Sequence, residues 1–170
     1  MRSRALLLAL LPLLVAAGRG FHNDALKVRA FDPPVGWELQ PIGSYPRLVA
    51  AWESKSGGRL TLVAQPVRGD STARSLAEES RPALERQGFR SVTVSDERTA
   101  ADEGQRVRLD ASIEDGRRFV RQLYTVAAGL GYVVTIVGPI GKAPELRRDF
   151  DEAAATLLVG DAASGAPVRR

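Results

Sequence analysis

No cysteine occurs among the 170 residues, and there is one histidine. Without thiols the chain can form no disulfide, hold no zinc–thiolate cluster and run no cysteine-nucleophile chemistry. The single imidazole, His22, cannot build a histidine-rich metal centre, because ligand clusters need several convergent groups. No sign of charge dominates: 24 Lys+Arg stand against 20 Asp+Glu, interleaved along nearly every segment. A nucleic-acid-binding chain concentrates positive charge on one face or stripe, so this pattern reads as a mixed solvated surface and argues against nucleic acid as partner. Long apolar runs are equally scarce, and none beyond the N-terminus is long enough to cross a membrane.

The exception is at the start. Arg2 and Arg4 precede an almost unbroken stretch of Leu, Ala and Val from Ala5 to Ala17, interrupted by Pro12. A positive n-region, a short apolar core and the small residues Val15-Ala16-Ala17-Gly18 form an export signal cleaved after Ala17 or Gly18. The run is shorter than the roughly 18–20 residues of a membrane span. Ala16-Ala17-Gly18 has the look of a lipobox, but Arg19 stands where the lipid-bearing cysteine would be, so the mature chain is expected to be soluble and periplasmic or extracellular. The expected organisation is a signal peptide over 1–18, a flexible lead-in over 19–30, one domain over 31–159 and a disordered tail over 160–170. About 150 residues bury roughly two-thirds of the unfolded chain's surface, enough for a core without cross-links.

Within the domain, an initial strand is read at Leu26 to Phe31, and the Pro33-Pro34 pair with Gly36 turns the chain before Trp37-Glu38-Leu39. Leu48 to Glu53 and Arg59 to Val67 read as strands around the turn Ser54 to Gly58, with Leu60, Leu62 and Ala64 sharing one face. Ser71-Thr72 caps a helix running to about Gln87, whose stripe is Ala73, Leu76, Ala77, Ala83 and Leu84. Gly88 suits a left-handed C-terminal cap, and Pro82 is expected to kink or split the helix.

Ser91 to Ser95 and Gln105 to Ile113 read as strands, the latter alternating Val107, Leu109, Ala111 and Ile113 against Arg106, Arg108, Asp110 and Ser112. Asp115-Gly116 accepts the positive φ angles of a tight hairpin, and Phe119 to Ala127 returns. With those two as loop residues, Asp110 meets Arg121, Ala111 meets Val120 and Val107 meets Tyr124, so charge pairs on one face and apolar groups on the other. Leu130 to Val137 is apolar on both faces and belongs mid-sheet. Pro144 opens a last helix with Leu146, Phe150, Ala153, Ala154, Leu157 and Leu158 as its stripe, and Gly160 closes it. The order implies an α+β domain with a mainly antiparallel sheet.

Several features recur in a familiar order: Phe31-Asp32-Pro33 through Gly36-Trp37, a helix over Thr72 to Gln87, the hairpin at Asp115-Gly116, the strand Gly131 to Val137, and a closing helix ending Thr156-Leu157-Leu158. From Phe31 to Val159 the chain resembles the PsbP-like family, which includes the DcrB-related bacterial periplasmic proteins. The resemblance implies an α/β/α sandwich: a mainly antiparallel sheet flanked by two helices. It also implies a non-enzymatic role, since members are mostly accessory or envelope proteins with no shared catalytic motif. The bacterial-type leader argues against a photosystem role.

Sites of chemistry are few. His22 sits in the lead-in, away from any rigid element, and no G-x-S-x-G elbow accompanies it. Gly138-Pro139-Ile140-Gly141-Lys142 departs from the phosphate-loop pattern at Ile136 and Ala143. The acid pairs Asp96-Glu97, Asp102-Glu103 and Glu114-Asp115 fall on turns, where carboxylates stay solvated. The candidate binding surface is Trp37 and Trp52 as aromatic anchors, or Arg117, Arg118 and Arg121 toward anionic lipid, although core placement of the tryptophans and a neutralised arginine face are the plainer readings. No catalytic, cofactor or metal residue is assigned. The reading is an exported non-catalytic module that binds an envelope protein or small ligand, touching membranes only peripherally. The alternative is a hydrolase-like enzyme whose carboxylates assemble in three dimensions.

Overall fold

The alternating segments become strands of two antiparallel sheets in the computed structural model, which describes residues 20–43, 47–97, 106–113 and 117–161. The leader with Ala17 and Gly18, the Asp102-Glu103 pair, the Asp115-Gly116 loop and the tail beyond Asp161 lie outside the described residues. In chain order come β1 (Phe21–Asn23), β2 (Val28–Phe31), β3 (Glu38–Leu39), β4 (Leu48–Glu53) and β5 (Arg59–Pro66). Helix α1 (Ala73–Arg86) leads to β6 (Phe89–Glu97), β7 (Arg106–Ile113), β8 (Arg118–Ala127) and β9 (Leu130–Pro139). Helix α2 (Ala143–Thr156) and β10 (Leu158–Val159) follow.

The larger sheet has seven strands in the order β3-β4-β5-β9-β8-β7-β6, and each neighbouring pair is antiparallel. Strand β9 therefore sits at its centre, where a sequence apolar on both sides belongs. Tyr132, Val134 and Ile136 are fully buried on one face, and Val133 and Val137 pack against the core of the other. The β7–β8 hairpin has the register expected from its loop, with Asp110 opposite Arg121, Ala111 opposite Val120 and Val107 opposite Tyr124. One turn chemistry and one alternation thus set the placement of two strands.

Helix α1 covers the apolar side of that hairpin, packing Ala73, Leu76, Ala77 and Leu84 on Val107, Leu109, Ala111, Val120 and Tyr124. Thr72 and Ser75 cap its start reciprocally, at 3.1 and 3.0 Å, and Gly88 follows its end at φ +89°. Of the two outcomes expected of Pro82, the split does not occur, and the helix runs through it from Ala73 to Arg86. Pro82 and Glu78 both face outward, so water can take the Glu78 carbonyl that the missing N–H leaves free. Beneath α1 the buried Tyr124 hydroxyl donates to Gln122 at 2.6 Å, and Gln122 donates to Thr135 at 3.1 Å.

The opposite face carries α2 and a three-stranded sheet of order β1-β2-β10. This sheet corrects two expectations. Residues 21–31, read as mostly lead-in, form β1 and β2 around a short 3-10 turn at Asp24–Leu26, with Val28 and Phe31 fully buried. Apolar side chains at Phe21, Leu26, Val28 and Phe31 give this segment a core to join. At the other end, Leu157 and Leu158 do not extend the helical stripe, and Gly160 closes a strand rather than a helix. The Thr156 hydroxyl bonds back to the Ala153 carbonyl and accepts from the Asp32 N–H, both at 2.7 Å. A β-branched residue that engages the backbone this way favours ending a helix, and Val159 then pairs with Val28.

Close approach of α2 to the sheet depends on missing side chains. A Cβ at Gly138 would collide with the Leu146 side chain and stand 3.4 Å from Gly58 Cα. Leu146 is fully buried, so it has little room to yield. Gly138→Ala should therefore destabilise the fold by about 1–3 kcal/mol. A urea-denaturation cycle with Leu146→Ala should show strong coupling, and additive effects would contradict the packing account.

Burial pushes the Tyr124 phenol up from 10.0 to about 12, its hydrogen-bonding contact with Ser80 opposing the shift. The native state thus holds this proton where the unfolded chain releases it, so the contribution is intact below pH 10 and is lost as pH rises toward 12. The loss between those two pH values amounts to roughly 2–3 kcal/mol at the alkaline limit. Chemical denaturation across that range should show a shallower alkaline loss for Tyr124→Phe than for the parent; identical slopes would place the titration elsewhere.

Candidate functional site

The turn at 34–37 begins the site. The Trp37 N–H donates to the Pro34 carbonyl at 3.2 Å, and Gly36 sits at φ +83°. That is a type II turn, which needs glycine at its third position and turns the following residue back. Trp37 thereby enters the core at 4% exposure, while Val35 at the turn's apex is fully exposed. Its indole fits because residue 58 is glycine: a Cβ there would stand 2.9 Å from Trp37 Cη2. Asp149 on α2 accepts from the indole N–H at 3.1 Å and sets its orientation.

Trp52 projects from β4 on the same face, opposite Leu39 and Leu60 in neighbouring strands. Phe21 meets it edge-on at 5.8 Å and 87°, and Phe31 lies at 5.2 Å. Such aromatic pairs contribute about 0.5–1.5 kcal/mol each beyond area burial. Around the two indoles opens a cleft of about 470 Å³ lined by Gly20, Phe21, Pro33, Trp37, Glu38, Leu39 and Trp52. Glu38 is its one ionisable lining group. On the other side of Trp37 lies a more polar cleft of about 370 Å³, edged by Ser54, Lys55, Ser56, Glu145 and Asp149.

Helix α2 positions Trp37, and arginines position α2. Arg106 on β7 is 1% exposed and donates to the Ala154 carbonyl at 3.0 Å and the Leu157 carbonyl at 2.7 Å. A cation on the last carbonyls of a helix satisfies orphan acceptors and complements the dipole. Next to it, Asp151 bridges Arg108 at 3.2 Å and Arg121 at 2.9 Å. Glu97 pairs with Arg108 and Asp110 with Arg121, each at 2.7 Å. Burial works against the Arg121 charge, but its bond to Asp110, then the charges of Asp110 and Asp151, outweigh burial and raise its pKa.

Solved structures share this arrangement of layers. The solution structure of cyanobacterial PsbP (CyanoP) from Synechocystis sp. PCC 6803 superposes with a TM-score of 0.65 at 15% identity, over 90% of this chain and 98% of that one. The chain has the PsbP-like fold. LpqN, involved in cell envelope biogenesis of Mycobacterium tuberculosis, superposes with a TM-score of 0.57 at 14% identity, over 72% of this chain and 78% of that one. No protein-family model and no curated protein sequence matches the chain.

Within this PsbP-like sandwich the residues singled out from sequence are dispersed. Trp37 and Trp52 come together as core residues whose edges line the cleft. Arg117 and Arg118 are exposed at the start of β8. Arg121 belongs with the α2 carboxylates, its side chain 11% exposed, so the three arginines make no common patch. The alternating face carrying Arg106, Arg108, Asp110 and Arg121, expected to meet water, lies under α2 instead, because that helix supplies acids and carbonyls to pair with it. His22 is exposed on β1, and no set of three or more His, Asp or Glu among the described residues is placed to hold a metal. Sequence reasoning missed Phe21, Pro33, Leu39 and Asp149 as parts of the site; the Pro-Pro-Val-Gly-Trp turn was the available signal.

Replacing Arg106 by Met should leave the Leu157 carbonyl without its donor, while Ala154 keeps the Leu157 N–H, costing about 1–3 kcal/mol. Arg108→Met, whose partners are partly exposed, should cost less than about 1 kcal/mol. Thermal unfolding of the two variants tests the order; equal losses would contradict the capping role of Arg106.

Proposed function

We propose that this chain is an exported envelope protein that acts as a non-catalytic binding module, with the Trp37–Trp52 cleft as its ligand site. The observation that carries the reading is the cleft's lining: Phe21, Pro33, Trp37, Leu39 and Trp52 surround a space with a single ionisable group, Glu38. Apolar concave sites with few polar groups bind ligands through burial, and aromatic walls supply rigid contact area. A volume near 470 Å³ suits a small apolar molecule or a few apolar side chains of a partner. Export is supported by the arginine-flanked apolar leader. The shared fold of LpqN, a protein of envelope biogenesis, fits an accessory role.

The carboxylate-enzyme alternative would draw on Glu145 and Asp149 beside the polar cleft. Asp149 accepts from the Trp37 indole and Glu145 lies 3.8 Å from Lys142, so both acids already have partners.

Both tryptophans of the chain line the cleft, so intrinsic emission reports its occupancy directly. Titration with a neutral apolar fluorophore such as N-phenyl-naphthylamine should produce saturable energy transfer from tryptophan. Leu39 is 63% exposed and tolerates change without loss of the core. Leu39→Asp should weaken that transfer about tenfold, equivalent to roughly 1.4 kcal/mol. Non-saturable transfer, or an unchanged titration in the variant, would remove the cleft as a ligand site.

A further inference from the structure

Large exposed apolar side chains are few among the described residues, and their placement is uneven. Of the four, Val35, Leu39 and Ile42 fall within one short segment, and Ile140 is the other. Val35 is fully exposed, Leu39 63% and Ile42 44%. The same segment walls both clefts, through Val35, Trp37, Glu38 and Leu39, and its strand β3 is an edge of the seven-stranded sheet. Clustered exposed apolar groups beside a cleft mark an interaction surface.

The chain's own course indicates what meets that surface. Gly20, the first described residue, is part of the cleft wall, and the apolar run Ala5 to Ala17 ends three residues before it. Three residues of fully extended chain span about 10 Å. The headgroup layer on either side of the hydrocarbon is roughly 5–7 Å thick. While the run is embedded, as an export signal requires, Gly20 is held within reach of the bilayer interface, and whether the cleft meets it depends on how the domain is turned. The ionisable groups lining the two clefts are three acids, Glu38, Glu145 and Asp149, and one base, Lys55, so among the described residues the cleft walls carry no excess of positive charge.

We propose that the rim formed by Val35, Leu39 and Ile42 is a membrane-docking surface, seated on the bilayer interface while the N-terminal apolar run is embedded. The proposal rests on the export reading and on the cleft described above. Apolar insertion drives the docking, so zwitterionic lipid suffices and salt has little effect.

The test uses the full chain incorporated into phosphatidylcholine vesicles that carry a doxyl quencher either near the headgroup or deep in the acyl region. Shallow quencher should reduce Trp37 and Trp52 emission several-fold more than deep quencher, equally at low and high salt. The triple variant Val35→Ser, Leu39→Ser, Ile42→Ser should still float with the vesicles through its apolar run and keep its far-UV circular dichroism, but lose the quenching. Absence of quenching in the parent chain, although it floats, would overturn the proposal and leave the rim to a protein partner. So would quenching that survives the triple substitution. Saturable transfer to the apolar fluorophore in vesicle-free solution would persist through either failure, which separates this claim from the ligand-cleft reading.

Discussion

A buried guanidinium under the end of a helix holds this architecture together. Arg106 takes the carbonyls of Ala154 and Leu157 where α2 stops and β10 starts, at the seam between the helix and the small sheet. Desolvating an arginine costs several kcal/mol unless its donors are used. Here Nη1 adds a second donor to the Ala154 carbonyl, which also accepts from the Leu157 N–H, and Nη2 serves the Leu157 carbonyl just past the helix end. The adjoining Asp151 ties Arg108 and Arg121 to the same helix, so α2 is seated by charge along one side and by Leu146 and Phe150 along the other.

That seating reaches the cleft through a short physical chain. With α2 fixed, Asp149 is fixed, and its carboxylate orients the Trp37 indole between the two clefts. Gly58 and Gly138 allow the approach from the sheet side, since side chains there would occupy the volume used by Leu146 and Trp37. The cleft is walled by the 33–37 turn with β1, β3 and β4, and it depends on α2 through the one bond from Trp37 to Asp149. Its chemistry is that of contact and exclusion of water, with Glu38 the one ionisable lining group.

Much of this was legible in the residues. Strict alternation from Val107 to Ile113, the Asp115-Gly116 loop and the two-sided apolar strand from Leu130 to Val137 led to the observed β7–β8 register and the central place of β9. What escaped the reading depends on contacts between distant segments. Arg106 has the pattern of a solvated strand residue; only α2, some fifty positions later, turns its face inward. Leu157 and Leu158 continue a helical spacing, and it takes Thr156 meeting the Asp32 N–H to end the helix there. The cleft was half visible, since the two tryptophans were named, but its wall at Phe21 lay in a segment read as lead-in. A strand of three residues, Phe21 to Asn23, carries too little periodicity to announce itself.

The most direct test of the claim that α2, Trp37 and the cleft form one unit is a ¹⁵N-correlated spectrum of the labelled protein, where the two indole N–H groups give two resolved signals. On saturation with a small apolar ligand, both indole signals and the amides of Phe21, Leu39 and Asp149 should shift together, while those of α1 stay in place. Shifts confined to α1 and β6, with the indole signals unmoved, would contradict the account.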